Sequence, residues 1–485
     1  MMSIWTMDCS IDQRPSLDSN ISTDIAVVGG GMAGILTARL LKDKGMDVVV
    51  LEADRIAGGN TAGTTAKITL QHGLTYADMI ETMGQKAAKK YVDANIAAMS
   101  KFKELAENVD CNYSTCPAYI YTRRDTGVLE RELRAAESLG IKAEITTDTE
   151  LPFPVNGALK YDNQARFHPL KFIREISRNL KIYEGTQVSG IKDGELDTTG
   201  GKVRANKVVI ATHYPFINFP GYYFLRMHQS RTYLLALENA ATIEGMYLDA
   251  DEGGYTFRGY GNILLFGGEG HRTGRNGNSG RYDRLLKAAM QFYPQSKEIA
   301  RWSAQDCVTQ DKVPFIGEYS IFTPNMYVAT GFRKWGMTGS MVSAIIISSL
   351  IAGETPHYAD LFNPLRFNPK ASGKGLSKDV SQIAKGFALR IAPSEEDSPE
   401  AIPKGCASIV TIDGRKRGIY KDENGAVFAV SVRCPHLGCQ LSWNPDEKSW
   451  DCPCHGSRFT YDGKRIDGPA ETNDISRQVN INNFA

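Results

Sequence analysis

Ile25-Ala26-Val27-Val28 is an unbroken apolar run that ends in Gly29-Gly30-Gly31-Met32-Ala33-Gly34, and an apolar stretch of helical period follows to Gly45. A run without polar alternation predicts a strand covered on both faces, so the segment reads as strand, tight turn, helix. Val48-Val49-Val50-Leu51 predicts the next strand, closed by Glu52. Residues 76–109 carry charges through a helical pattern, which predicts two surface helices turning near Gly84. Residues 118–122 read as a strand, 128–139 as an amphipathic helix and 151–154 as a loop, with further strands at 207–212, 232–237 and 262–266. The apolar stretch 341–347 predicts a buried helix. Residues 368–404 are rich in Gly, Ser, Pro and acid and read as a connector, with one or two amphipathic turns near 380–389. Beyond it, short strands at 407–412, 417–420 and 426–430 alternate with turns at Asp413-Gly414 and Asn424-Gly425, an all-β spacing.

The glycine run has a physical reading of its own. Gly29 permits the turn, Gly31 lets backbone approach a pyrophosphate at the helix N-terminus, and Gly34 lets the helix pack on the strand. Glu52 is placed to bind a ribose hydroxyl. The alternative is a glycine-rich turn in some other α/β unit; two strands and an acid in register favour a dinucleotide fold.

Composition narrows the field. The chain has 485 residues, enough for about three domains, and 42% apolar and 9% aromatic content describe an ordinary globular protein. A net charge of +1 without a basic run argues against nucleic acid or an anionic membrane as partner. No apolar run reaches the ~20 residues that span a bilayer. Residues 1–23 lack a basic start and apolar core, so no signal peptide is expected. Cys9, Cys111, Cys116, Cys307 and Cys406 show no metal spacing, a scatter that predicts a cytoplasmic protein.

Near the C-terminus stand two boxes, Cys434-Pro435-His436-Leu437-Gly438-Cys439 and Cys452-Pro453-Cys454-His455-Gly456-Ser457. A Cys/His quartet with short spacers also suits zinc, although zinc quartets usually pair Cys with Cys and His with His. The boxes resemble those of a Rieske [2Fe-2S] centre, in which two thiolates hold one iron and two imidazoles the other. That resemblance implies Cys434, His436, Cys452 and His455 as ligands. Two ferric ions, two sulfides and two thiolates sum to zero, so the added electron enters a neutral group and the potential rises. The respiratory-chain type further implies a disulfide between Cys439 and Cys454; two free thiols are the alternative in a reducing compartment. Ser457 resembles that type's hydroxyl donor, and Phe459 stands where its tyrosine donor would be, which predicts a lower potential. Gly468-Pro469-Ala470 resembles its proline loop.

Residues 24–52, the segment 58–67 and the segment 327–338 resemble the FAD-binding elements of the glycine/D-amino acid oxidase superfamily, in the branch with a C-terminal Rieske domain. The resemblance implies FAD as well as the cluster, with Gly29, Gly31, Met32, Ala33, Gly34, Glu52, Thr64, Thr65, Ala66, Gly331, Trp335, Gly336, Met337 and Thr338 binding FAD. It implies an α/β (α+β) Rossmann-like FAD domain with an interleaved β-sheet substrate subdomain, followed by an all-β Rieske domain. The expected boundaries are an extension at 1–23, the oxidoreductase domain at 24–366, a linker at 367–404 and the Rieske domain at 405–485. Within the second, FAD parts lie near 24–75, 165–214 and 300–366, and substrate parts near 76–164 and 215–299.

Departures from the sarcosine-type oxidases shape the chemistry expected. Thr338 stands where they carry a carboxylate-binding Lys, and the strand 263–266 is apolar where they carry the Lys that assists reaction with oxygen. A dehydrogenase is therefore expected, passing electrons from a small amine, amino acid or related substrate singly to the cluster and on to an external carrier. The rivals are a reductive flavoenzyme fed by its cluster and a flavoprotein with a redox-sensing module. Cys307 is offset from the site of a flavin link, which favours non-covalent FAD. Arg226, Arg231, Tyr233, Tyr247, Arg258, Lys334 and Trp335 are candidates for the substrate pocket, and Lys67 for the FAD site. No catalytic base is assigned; His72, His168 and His213 read as capping or core histidines.

Overall fold

The computed structural model describes residues 2–251, 253–277, 279–366, 398–412, 414–470 and 474–476, together with 368, 370, 385, 386 and 388. Two large sheets contribute to one main core. The first has eight strands, with Phe315–Glu318, Met326–Thr330, Gly201–Ile210, Ile21–Val28, Val48–Leu51 and Lys181–Tyr183 in spatial order and the hairpin Val188–Lys192/Glu195–Thr198 attached to Gly201–Ile210. Strands Met326–Thr330 through Lys181–Tyr183 run parallel, Ile25 pairing with both Lys207 and Val48. The apolar runs seen in the sequence are the consequence: Ala26 and Val27 are fully buried.

The second sheet has nine strands, ordered Lys297–Thr309, Met227–Glu238, Ile263–Arg272, Thr256–Tyr260, Met246–Asp249, Ser114–Thr122, Gly157–Arg166 and Lys67–Ile68, with Glu144–Thr146 paired to Gly157–Arg166. It is antiparallel except where Met246–Asp249 meets Ser114–Thr122. One face joins the main core through Leu234, Leu265 and Trp302, and the other packs under helix Arg281–Phe292 through Tyr233, Leu235 and Phe266. Helices Tyr76–Met83 and Gln85–Ala106 meet at Gly84, as the pattern predicted. The C-terminal unit is all-β, a three-stranded sheet from Ala407–Ile412 to Val427–Ser431 and a four-stranded one from Ser442–Asn444 to Arg465–Asp467.

Three differences from the sequence reading have physical causes. The strand expected at 262–266 runs on to Arg272, because the C-terminal unit covers its polar end: Arg272 donates to the Cys454 carbonyl at 3.1 Å. The first strand begins at Ile21 rather than Ile25, inside the expected extension 1–23, since Ile21 pairs with Val203. The N-terminal extension is also part of the core, for Trp5 is fully buried and its Nε1 donates to the Thr64 carbonyl at 2.7 Å. Most of the expected linker, Asp413 and the end of the chain lie outside the described residues.

Candidate functional site

The glycine turn is built as its sequence requires. Gly29 has φ 106°, and a Cβ there would lie 2.5 Å from the Ala211 carbonyl oxygen. A Cβ on Gly34 would overlap the Gly29 carbonyl, so the helix Met32–Asp43 rests directly on the strand end. Gly31, its N-cap, would meet nothing nearer than Thr61 Oγ1 at 3.6 Å. Gly336 opens the second helix of the site, Gly336–Ile351, and a Cβ there would meet no atom within 4 Å. Two helix N-termini thus present backbone amides to open approaches, the property that a dinucleotide with anionic groups needs. Glu52 Oε2 accepts from Gly30 N at 2.6 Å, and burial pushes its carboxyl up. Met32, Ala33 and Met337 are buried in the two first turns, while Thr64, Thr65 and Trp335 are half-buried and Ala66 turns at φ 53°. Gly331 turns at φ 78° behind the strand Met326–Thr330.

Thr338 is fully buried with its Oγ1 3.0 Å from His72 Nε2, and His72 Nδ1 lies 2.7 Å from the Tyr91 hydroxyl. Burial pushes His72 down to about 3, so the ring that stacks on Trp335 at 4.7 Å is neutral. His168 caps the helix Pro169–Ile176 by accepting from Lys171 N, and His213 lies 3.2 Å from Asn60 Nδ2.

The candidate substrate residues separate sharply. Tyr233 and Tyr247 sit in the core on the helix-covered face. Arg231 pairs with Glu447 at 2.9 Å, and Arg226 lies 4.1 Å over the Phe315 ring. Arg258 is buried 4.9 Å over the Trp5 ring, and burial pushes it down to about 9. Lys334 remains exposed, with Nζ 3.2 Å from where a Cβ on Gly270 would stand, so a cation reaches the strand whose 263–266 stretch is apolar. Lys67 reaches the antiparallel sheet, donating to Thr256 Oγ1 at 2.6 Å and the Tyr247 carbonyl at 3.1 Å. Burial, with the charge of Arg258, lowers it to about 7, where an amine exchanges protons readily. Burial pushes Asp306, next to Gln305, up to about 7. The Cys307 thiol donates to the His213 carbonyl at 3.6 Å and packs with Tyr214 and Met227.

In the C-terminal unit the two boxes close on each other. His436 Nδ1 and His455 Nδ1 face at 3.2 Å, and the Cys434 and Cys452 thiols are in contact, the neighbouring sulfur and burial pushing Cys434 well up. A pair of sulfurs in contact and a pair of facing ring nitrogens, from two boxes that are buried at Cys434, Cys452 and His455 and half-buried at His436, suit a metal pair. His436 Nε2 lies 2.8 Å from Asn218 Oδ1, an acceptor, so its proton sits on Nε2 and Nδ1 is left as the donor atom. Asn218 carried no sequence signal, since it lies 218 positions from His436. Phe224 meets both imidazoles edge-on, at 5.5 and 5.8 Å. Cys439 and Cys454 form a disulfide, and their sulfurs lie within 4.8 Å of Cys452 Sγ. A disulfide offers no thiolates, so of these three sulfurs only that of Cys452 is free. Ser457 is fully buried and accepts from Ala470 N at 3.2 Å, and Gly468 packs on the Ser457 backbone.

The two regions are one packed body. Gln229 Nε2 donates to the His455 carbonyl at 3.1 Å, and Gln305 Nε2 to the Gly456 carbonyl at 3.0 Å. Asp446 Oδ1 accepts from Gly280 N and Arg281 N at the start of helix Arg281–Phe292, at 2.8 and 3.1 Å. Glu447 joins Arg231, Arg458 and the Tyr282 hydroxyl.

Residues 24–350 match the family described as FAD dependent oxidoreductase, and residues 395–484 match the Rieske [2Fe-2S] domain. A Bacillus subtilis (strain 168) protein named as a Rieske 2Fe-2S iron-sulfur protein, YhfW, is 36% identical, over 96% of this chain and 95% of its own. Gamma-glutamylputrescine oxidoreductase of Escherichia coli (strain K12) is 22% identical, over 77% of this chain and 93% of its own. Glycine oxidase from Geobacillus kaustophilus superposes with a TM-score of 0.61 at 18% identity, covering 71% of this chain and 99% of its own, a likeness of fold. Among the described residues no helix is long and apolar enough to cross a membrane.

Proposed function

From the premise that the chain belongs to the FAD dependent oxidoreductase family and carries a Rieske [2Fe-2S] domain, we propose that it is a dehydrogenase of a small amine, amino acid or related compound that delivers its electrons through the cluster to an external one-electron carrier. FAD supplies two-electron oxidation, and the cluster accepts one electron at a time. The residues proposed to hold FAD are Gly29, Gly31, Met32, Ala33, Gly34, Glu52, Thr64, Thr65, Ala66, Gly331, Trp335, Gly336, Met337 and Thr338. Those proposed to hold the cluster are Cys434, His436, Cys452 and His455. The single observation that carries the reading is the seating of the His455–Gly456 loop on the sheet whose other face shares a core with Met32 and Ala33 of the glycine-turn helix and bonds Gly63 through Trp302. A mobile or sensing domain has no need of so buried a polar seat.

The names of the relatives support the substrate class, since one is a gamma-glutamylputrescine oxidoreductase and another a glycine oxidase. Lys334 supplies a cation for a carboxylate or for a developing anion, so the dehydrogenase reading rests on the attached electron sink rather than on a missing lysine. Asn218 and Phe224 cover the imidazole edges, which weighs against a quinol donor binding there. A cytoplasmic location is proposed on the free thiols of Cys9, Cys111, Cys116, Cys307 and Cys406. The test is anaerobic titration of the holoprotein with amines and amino acids. Flavin bleaching followed by the EPR signal of a reduced cluster is expected, with the cluster potential above that of the flavin; a cluster potential below it overturns the direction of flow.

A further inference from the structure

We propose that Gln305 is a positioning residue that seats the His455–Gly456 loop on the strand Lys297–Thr309, and that this strand is the partition across which electrons pass between the two cofactor sites. The inference rests on the cofactor reading above and adds the route.

Alternation along the strand is its basis. Trp302 points to the flavin segment, its Nε1 donating to the Gly63 carbonyl at 3.0 Å, and Asp306, four residues on, feels the charge of Lys334 in the late turn. Successive side chains of a strand point to opposite faces. Ser303 and Gln305 accordingly face the C-terminal unit: Ser303 Oγ accepts at 2.6 Å from Arg231, the partner of Glu447, and Gln305 Nε2 donates to the Gly456 carbonyl at 3.0 Å and to Asp467 Oδ2 at 2.9 Å. The backbone of Gln305 is held on the flavin side, where its carbonyl accepts from Asn60 Nδ2 and its N–H donates to Asn60 Oδ1 at 3.4 Å. Asn60 opens the short helix Asn60–Gly63. One buried residue therefore touches the flavin segment with its main chain and, with its side chain, the second ligand box at Gly456 and Asp467 beside the Gly468-Pro469-Ala470 loop.

The amide is also oriented. Gln305 Oε1 accepts from Thr273 Oγ1 at 2.8 Å and from Arg231 at 3.5 Å, which leaves Nε2 to the two acceptors; a flipped amide would set oxygen against oxygen. The electron count closes with an external one-electron carrier. Two electrons and the protons of one substrate oxidation arrive at the flavin site, the electrons cross singly, the carrier reoxidises the cluster after each crossing, and the protons leave to solvent.

The test uses holoprotein of measured iron and FAD content, photoreduced anaerobically with deazaflavin and EDTA, with flavin-to-cluster transfer followed by transient absorbance. Gln305→Leu is expected to slow transfer about tenfold or more, the scale of a small misplacement, at unchanged potentials, cluster EPR spectrum and melting temperature. Amide hydrogen exchange at 454–458 should rise about three- to tenfold, the weight of a lost hydrogen bond. An unchanged transfer rate overturns the role of Gln305. Should Gln305→Leu lose iron, Thr273→Val decides, since it removes the nearer of the two donors that orient the amide and leaves Gln305 in place: slowing supports the proposal and wild-type transfer overturns it. Failure of the underlying reading looks different, as wild-type protein without a cluster EPR signal or without any flavin-to-cluster transfer.

Discussion

At the scale of the residue, the glycines of the first turn are constrained by contact as much as by conformation. Gly29 requires a positive φ, but Gly34 has none and is fixed only by the carbonyl beneath it. Gly34→Ala should force the helix Met32–Asp43 off the strand, costing about 1–3 kcal/mol as overpacking does. The expected outcome is a lower melting temperature and FAD lost on gel filtration, with the cluster spectrum retained. This residue was legible because its reason is local: strand, turn and helix lie within a few residues of one another. Arg231 and Tyr233 were not. Each sits on the same strand as Leu234 of the main core, and only the packing on each face tells an ion-pair anchor or a core ring from a pocket residue.

At the scale of the element, the docking of the four-stranded sheet depends on Glu447. Arg231 is 1% exposed and pairs with Glu447 at 2.9 Å, while Arg458 divides itself between Glu447 and Asp451. Glu447→Ala strands a buried guanidinium, a loss of about 3–5 kcal/mol. Protease cleavage in residues 367–404 should release the C-terminal unit from the variant and leave it bound in the wild type. The pair also sets a pH window. Desolvation raises the Glu447 carboxyl, but Arg231 and Arg458 outweigh it and the net value is below the ordinary 4.5. A depressed acid stabilises fully above its unfolded value and ceases to do so as pH falls through the folded one. Docking should hold at pH 5 and loosen below 4.5, read by the same cleavage. The elements themselves were largely legible, except where burial came from a distant segment: strand Ile263–Arg272 outran its apolar stretch because Cys454 lies over its end.

At the scale of the whole molecule, two sites of independent local construction share one interface. Cys434→Ser should therefore abolish the visible absorbance and EPR signal of the cluster while FAD stays bound, and the bleached flavin should then accumulate under anaerobic substrate. Retention of a cluster spectrum in that variant would remove Cys434 from the ligand set. The chain by itself determined the chemistry on offer, because donor identity and spacing within each box, and the glycine turn with its flanking strands, are short-range properties. It also determined the order of the units, since periodicity changes from helical to alternating along the chain. Only the tertiary structure decided that Asn218 meets His436, that Gln305 bridges Asn60 and Gly456, and that Arg231 serves docking rather than substrate. Those pairings join residues more than 100 positions apart, and a sequence pattern carries no information about which of many distant polar groups burial will bring together.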